Sequence, residues 1–184
     1  MLSSTAHLLE RLARLVHNDA YSSGLKPTQW EALRYLARAN RFSRSPGALT
    51  AYLGMTKGTV SQTLQALERK GLVEKRAAAN DRRSVKLDLT TAGEHLLADD
   101  PLGDLEASVS ALPKEDQKLF GAMLEGLMKN MLHRRGGKAF GACKTCRHFR
   151  GDKNQGAPFF CSLLSEPLST SDSEMICAEQ EAAA

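Results

Sequence analysis

Between residues 45 and 89 the hydrophobic pattern changes its period, from helical spacing to the alternation of half-buried strands. Ser45-Pro46 offers an N-cap and a first-turn proline for a short helix, Gly54-Met55 a turn, and Thr56 a second N-cap. In the helix that Thr56 opens, Val60, Leu64 and Leu67 recur at i, i+4 and i+7, which predicts one buried stripe and turns Gly58, Ser61, Gln62, Gln65 and Arg69 outward. Lys70-Gly71 closes that helix. LVEKR and SVKLDL then alternate, with Leu72 and Val73 expected against the core and Val85, Leu87 and Leu89 on one face. Residues 77–84, AAANDRRS, read as the loop of a hairpin, with Asn80-Asp81 at its tip and Arg82-Arg83 beside it.

Helical patterns flank this stretch. Residues 3–21 predict a helix with Leu8, Leu12, Leu15 and Val16 on one side, and Pro27 opens another through residue 39 with Trp30, Leu33 and Leu36 inward. His7 and His17 stand singly, with no second ligand four residues away, and are expected to be ordinary surface side chains. Downstream, Thr90-Thr91-Ala92-Gly93 opens a helix expected to reach residue 99, falter at Pro101 and resume to residue 112. Pro113 starts one more, whose Leu119, Met123, Leu124, Leu127, Met128, Met131 and Leu132 make an apolar face broader than a small domain covers alone. That face favours a homodimer interface shared with the N-terminal helix over a cap on its own core.

With 184 residues and 42% hydrophobic content the chain can build one real core with an appendage. No stretch reaches the ~18–20 apolar residues of a membrane span, and the charged, amphipathic start is unlike a secretory leader. A cytoplasmic protein without a membrane partner is expected. A net charge of +4 and a pI near 8.9 permit nucleic-acid binding and no more. No nucleophile-base-acid order, glycine-rich phosphate loop or His-Glu helix motif is present, so an enzyme is not expected.

Helix, turn, helix and basic hairpin suit duplex DNA, because a helix fits the major groove and arginines on a hairpin suit the narrow, electronegative minor groove. The stretch TKGTVSQTLQALERKGLVEKR, followed by NDRRSVKLDLTTAGEHLL, resembles the MarR-type winged helix-turn-helix regulators, whose wing is marked by Asp-x-Arg, a strand and a Leu-Thr-x-x-Gly helix start. The resemblance covers residues 8–132 by element order and is most specific over 57–93. It implies that Arg83 enters the minor groove, that Asp81 orients it, and that Arg82 between them lies near phosphate. Thr56, Lys57, Gly58, Thr59, Ser61, Gln62 and Gln65 would face the major groove. The implied fold is mainly α with a small β wing, and the implied partners are a second copy of the chain and a pseudo-palindromic double-stranded DNA operator. First and last helices of the two subunits would interleave, and a small-molecule effector has room in the scheme. The expected layout is a dimerisation helix over 1–24, the winged helix-turn-helix over 25–92, dimerisation helices over 93–137 and an irregular metal-bound extension over 138–184.

That extension holds all four cysteines, Cys143, Cys146, Cys161 and Cys177, separated by two, fourteen and fifteen residues. An ordinary MarR-type chain ends before it. Cys143-x-x-Cys146 offers two thiolates from one turn, and Cys161 and Cys177 would close the site across two loops. Structural zinc most often takes two tight pairs, whereas iron–sulfur clusters accept scattered ligands more readily. The spacing therefore favours an iron–sulfur cluster of the 4Fe-4S type, with zinc as the alternative and free or disulfide-forming thiols third. Phe149, Phe159, Phe160, Leu163, Leu164, Met175 and Ile176 would form an apolar shell around it. His133 and His148 are spare ligands expected to stay solvated. Residues 151–156 read as an exposed polar loop and 169–174 as a helix start. Because Cys143 closely follows the last dimer helix, the centre is expected to modulate DNA affinity by tilting that helix, in redox, oxygen or iron sensing.

Overall fold

Helix α1 (Ser4–Asp19) begins where the Ser3 hydroxyl accepts from the Ala6 N–H at 3.2 Å. Helix α2 (Pro27–Arg38) starts on a proline that needs no N–H partner, and it buries Trp30, Leu33, Tyr35 and Leu36. Helices α3 (Pro46–Leu53) and α4 (Lys57–Arg69) are capped by the hydroxyls of Ser45 and Thr56, which accept from Ala48 and Thr59 N–H groups at 3.2 Å each. Gly54 lies between them at φ 62°, a left-handed geometry that favours glycine and makes the turn tight. Val60, Leu64 and Leu67 close on Leu49 and on α2, which places the main core inside this helix trio. In this computed structural model, residues 3–78, 81–151 and 156–183 are described, with the backbone alone at residues 78 and 81–84.

Strands β1 (Val73–Ala78) and β2 (Asp81–Leu89) pair antiparallel, Val73 opposite Leu89 and Lys75 opposite Leu87. The hairpin is longer than its pattern predicts. Residues 81–84, expected in a loop, are strand backbone, and the register shifts where Ala77 faces Val85 and Ala78 faces Asp81. A bulged segment carries no period-two signal, which is why it reads as loop. Of the three residues expected on the inner face, Leu87 is fully buried, Leu89 is half-buried and Val85 is exposed, because the hairpin leaves the body towards its tip. At its base the Leu87 N–H donates to the Arg44 carbonyl at 2.9 Å, so the segment between α2 and α3 holds the wing.

Helix α5 (Thr91–Leu96) passes into a 3₁₀ turn (Leu97–Asp99), and after Pro101 come α6 (Gly103–Ser110) and α7 (Lys114–Arg134), the order the pattern predicts. At the break, Arg34 of α2 donates two bonds to Asp100, at 2.7 and 2.6 Å. Burial would raise the Asp100 carboxyl, but Arg34 and the Leu102 N–H outweigh it and hold the group below its usual range. Neither α1, α6 nor α7 contains a buried residue. Leu8, Leu119 and Met123 are each more than 60% exposed, so the stripes expected to pair with a second copy lie open in the single chain. Among the described residues no helix is long and apolar enough to cross a membrane.

The extension is not irregular, contrary to the sequence expectation. Strand β3 (Gly141–Ala142) pairs antiparallel with β7 (Ile176–Cys177), while β4 (Phe149–Gly151), β5 (Phe159–Cys161) and β6 (Glu166–Leu168) form a three-stranded antiparallel sheet. Helix α8 (Thr170–Glu174) carries a capping box in which Ser169 and Asp172 exchange side-chain bonds with each other's backbone. Strands of two and three residues are too short for alternation to show, so the pattern conceals them. Of the loop expected over 151–156, residues 152–155 lie outside the described residues. Nor is the extension a separate appendage: the Asn40 N–H donates to the Ile176 carbonyl at 2.9 Å, and Phe140 packs edge-on against Tyr52 of α3 and Tyr35 of α2.

A tight contact holds α5 to the wing base. A Cβ on Gly93 would fall 2.2 Å from the Leu72 carbonyl oxygen, which already accepts from the Thr90 N–H at 3.2 Å. Gly93→Ala should therefore destabilise the fold by roughly 1–3 kcal/mol through forced displacement of packed backbone. Thermal unfolding followed by circular dichroism measures it, and an unchanged midpoint would contradict the contact.

Candidate nucleic-acid interface and four-cysteine site

Helix α4 presents two unlike faces. Val60, Thr63, Leu64 and Leu67 are buried, while Lys57, Gly58, Thr59, Ser61, Gln62 and Gln65 are exposed together with the cap residue Thr56. The buried Thr63 escapes the apolar pattern because its hydroxyl donates to the Thr59 carbonyl at 3.0 Å, which satisfies it within the helix. The exposed side chains are small or hydrogen-bonding, as a surface that meets base edges requires. Side chains of Asp81, Arg82 and Arg83 lie outside the described residues; their backbone belongs to β2 at the wing's outer end. The wing base is fixed to the helix pair by Arg44, whose guanidinium donates to Asp88 at 3.3 Å and to the Ala39 carbonyl at 3.0 Å.

The fold gathers the cysteines. Cys143, Cys161 and Cys177 are buried in one cluster with Leu168, against Phe42, Phe149, Phe159 and Leu164. Cys146, half-exposed, stands at the edge, its N–H donating to the Cys143 carbonyl at 2.9 Å. Three sulfurs accept N–H bonds: Cys143 from Asn40 Nδ2 at 3.6 Å, Cys177 from the Glu179 backbone at 3.4 Å, and Cys146 from the Glu181 backbone at 3.5 Å. Donors of this kind stabilise sulfur carrying negative charge. The Cys177 thiol is drawn below its usual range chiefly by its hydrogen bond with Cys143, against burial, and helped by the Glu179 N–H. Cys143 is correspondingly pushed up by that shared bond and by burial. Among the described residues no group of three or more His, Cys, Asp or Glu side chains is set to hold a single metal ion.

The shell differs in part from expectation. Phe149, Phe159 and Leu164 pack on the cysteines, whereas Ile176 joins the winged-helix core, Leu163 is exposed, and Phe160 and Met175 lie outside the cluster. His148 sits beside Glu181 with its Nε2 at 3.7 Å, and His133 is exposed in the last turn of α7. Sequence reasoning missed Leu168, Phe42, Ser43 and above all Asn40. An asparagine just past a helix carries the signal of a local turn residue, which hides any contact with a sulfur a hundred residues later.

A separate cavity of about 490 Å³ opens where α2 and α3 meet α7 and the extension, lined by Arg34, Arg38, Tyr52, Met128, Lys138 and Phe140 among others. Aromatic rings meet there with both signs of charge: Glu31 also lines it, and Arg34 and Lys138 are paired with Asp100 and Glu179.

Fold and site together define a winged helix-turn-helix protein with a cysteine-bearing extension. Residues 23–84 match the family described as "MarR family", so the winged-helix segment carries that family's sequence signature. The transcriptional repressor MprA of Escherichia coli strain K12 is 29% identical over 91 residues, 50% of this chain and 52% of that protein. The chain thus spans about half the length of the curated relatives it matches. A MarR transcriptional regulator from Methanosarcina mazei is similar in structure, at 24% identity and a TM-score of 0.58, over 70% of this chain and 96% of that one. So is S. aureus MepR in a MepR–DNA complex, at 22% identity and a TM-score of 0.57, over 71% of this chain and 99% of that one. Likeness at these identities establishes the fold, and this chain carries more than the fold they share. The named relatives include a transcriptional repressor and a transcriptional regulator.

Proposed function

We propose that the chain is a homodimeric, DNA-binding transcription regulator of MarR type whose operator affinity is modulated by an iron–sulfur cluster on Cys143, Cys146, Cys161 and Cys177. The observation that carries it is the burial of Cys143, Cys161 and Cys177 in one cluster with Phe42, in the turn that leads into the α3–α4 pair, with Cys143 and Cys177 accepting N–H bonds. MepR, similar in fold, is seen in complex with DNA, and MprA is a repressor; both support a DNA role for the α4 face and the wing. The open stripes of α1 and α7 supply the second interface.

In this reading α4 meets base edges through Ser61, Gln62 and Gln65, its capped N-terminus meets phosphate through Thr56 to Thr59, and Arg82 and Arg83 follow the minor groove with Asp81 orienting them. A bound cluster supplies a redox couple or a labile iron. Four thiolates hold it, the Asn40, Glu179 and Glu181 N–H groups stabilise their charge, and Phe149, Phe159 and Leu168 keep water away. A structural zinc or a thiol switch on the same residues is the second reading. The cavity lined by Tyr52, Phe140 and Met128 has room for a small organic effector beside either.

Arg83→Ala should weaken binding to an operator fragment at least fivefold at fixed salt, the loss of about 1 kcal/mol or more that a specific groove contact contributes. Fluorescence anisotropy measures this, and wild-type affinity would remove the arginine from the interface. Gln62→Ala should instead redistribute preference across operator variants. Sedimentation at micromolar concentration should give a dimer mass; a monomer would sink the assembly. Protein purified anaerobically should be brown, with iron and acid-labile sulfide that any single Cys→Ser change lowers. A colourless chain holding one zinc would end the redox reading.

A further inference from the structure

Residues 40–44 join the two halves of the molecule. Asn40 is fully buried, and each of its polar groups is engaged. Its backbone N–H donates to the Ile176 carbonyl at 2.9 Å, and its own carbonyl accepts from the Ser43 N–H at 3.0 Å. Its side-chain oxygen accepts from the Phe42 N–H, the Ser43 N–H and the Ser43 hydroxyl at 3.2, 3.0 and 2.7 Å. Its Nδ2 donates to the Cys143 sulfur at 3.6 Å. Ser43 in turn accepts from the Ala178 N–H at 2.8 Å, one residue past Cys177. On the other side the turn runs straight into the α3 cap, Ser45, and through Arg44 it holds Leu87 and Asp88 of the wing. One amide therefore touches the thiol site with one end and shapes the start of the DNA-reading elements with the other.

We propose that Asn40 is the positioning residue through which the four-cysteine centre and the DNA-reading elements act on each other. This rests on the reading of the cysteines as metal ligands, and it replaces the route through α7 that sequence proximity suggests. A metal-bound thiolate is a charged acceptor and strengthens the Nδ2–H···S bond, whereas a neutral thiol is a weak acceptor. Loading the centre thus tightens the amide's hold on Cys143 and fixes the turn, while emptying it weakens that bond and leaves the amide held by its oxygen. By linkage the effect is reciprocal: DNA that fixes the turn must retain metal by the factor with which metal retains DNA.

The test uses the full chain, reconstituted anaerobically with iron and sulfide, and separately with zinc, each beside metal-free protein. Operator affinity of the wild type should differ between loaded and metal-free forms at least fivefold, and operator DNA should slow extraction of the metal by a chelator. Asn40→Asp keeps the oxygen that caps the turn and removes the N–H to sulfur. It should bring the affinity ratio close to one while the metal content stays, and should move the cluster's reduction potential to more negative values. Ser43→Ala, which removes the hydroxyl that bonds the Asn40 oxygen and Cys177 but not the Asn40 N–H to Cys143, should also shrink the ratio and decides the matter should Asn40→Asp fail to fold. Arg41→Ala cuts another tie of the extension, to Asp172 at 3.1 Å, and should leave the ratio at the wild-type value. A wild type that takes up neither iron nor zinc overturns the metal reading itself. Metal uptake with a wild-type ratio in both Asn40→Asp and Ser43→Ala overturns the role of Asn40 alone.

Discussion

The hydrogen bonds of one buried amide constrain this structure more than any other feature. Without Asn40 the Phe42 and Ser43 N–H groups and the Ser43 hydroxyl would each lose an acceptor, and an orphaned buried polar group costs about 1–3 kcal/mol. The turn these bonds define aims Ser45 at the first turn of α3, holds the Leu87 strand through Arg44, and docks the extension through Ile176 and Ala178. Helix pair, wing and cysteine region therefore share a single junction. It is polar where the surroundings are apolar, since Tyr35, which donates to the Ser43 carbonyl at 2.6 Å, belongs to the same core as Leu33 and Leu36. A satisfied polar network inside such a core fixes one arrangement, because partial breakage leaves several groups unpaired at once.

Burial is distributed unevenly around that junction. The winged-helix trio encloses Trp30, Leu33, Leu36, Leu64 and Leu67 completely, whereas α1 and α7 bury nothing in the single chain. Apolar stripes on long, otherwise polar helices are stable only when something covers them. The extension follows a third strategy. Its sheets are too small to bury much, and its core consists of three cysteines and Leu168 with four half-buried partners. So small a unit gains order from what it docks on and, in the reading proposed, from what its sulfurs bind.

The legible parts of this chain were those with a local cause. Caps at Ser45 and Thr56, the proline starts and the stripe of Val60, Leu64 and Leu67 all depend on neighbours within a turn or two, and the structure places each where its pattern implies. The MarR-like signature over the winged helix likewise matched at residues 23–84. What stayed hidden depends on distance or brevity. The bulge beside Ala77 breaks alternation, the short strands of the extension cannot display any, and the Asn40–Cys143 contact spans most of the chain. Cysteine spacing revealed a candidate ligand set, but not that its members would lie against the turn before α3 instead of beside α7.

That location changes the energetics of any signal the cysteines carry. A centre acting through α7 would have to alter the dimer interface, where one rearrangement serves both subunits and competes with the whole buried face. In the reading proposed, a centre beside residues 40–44 would act within each subunit, on the turn that leads into its own α3–α4 pair. In a two-fold dimer on a two-fold operator both copies contribute, so their coupling free energies add. If each contributes about 1 kcal/mol, the pair changes affinity roughly thirtyfold, because 1.4 kcal/mol is a factor of ten. A modest change in one N–H···S bond per subunit is then enough for a regulatory response, without any large movement of the dimer.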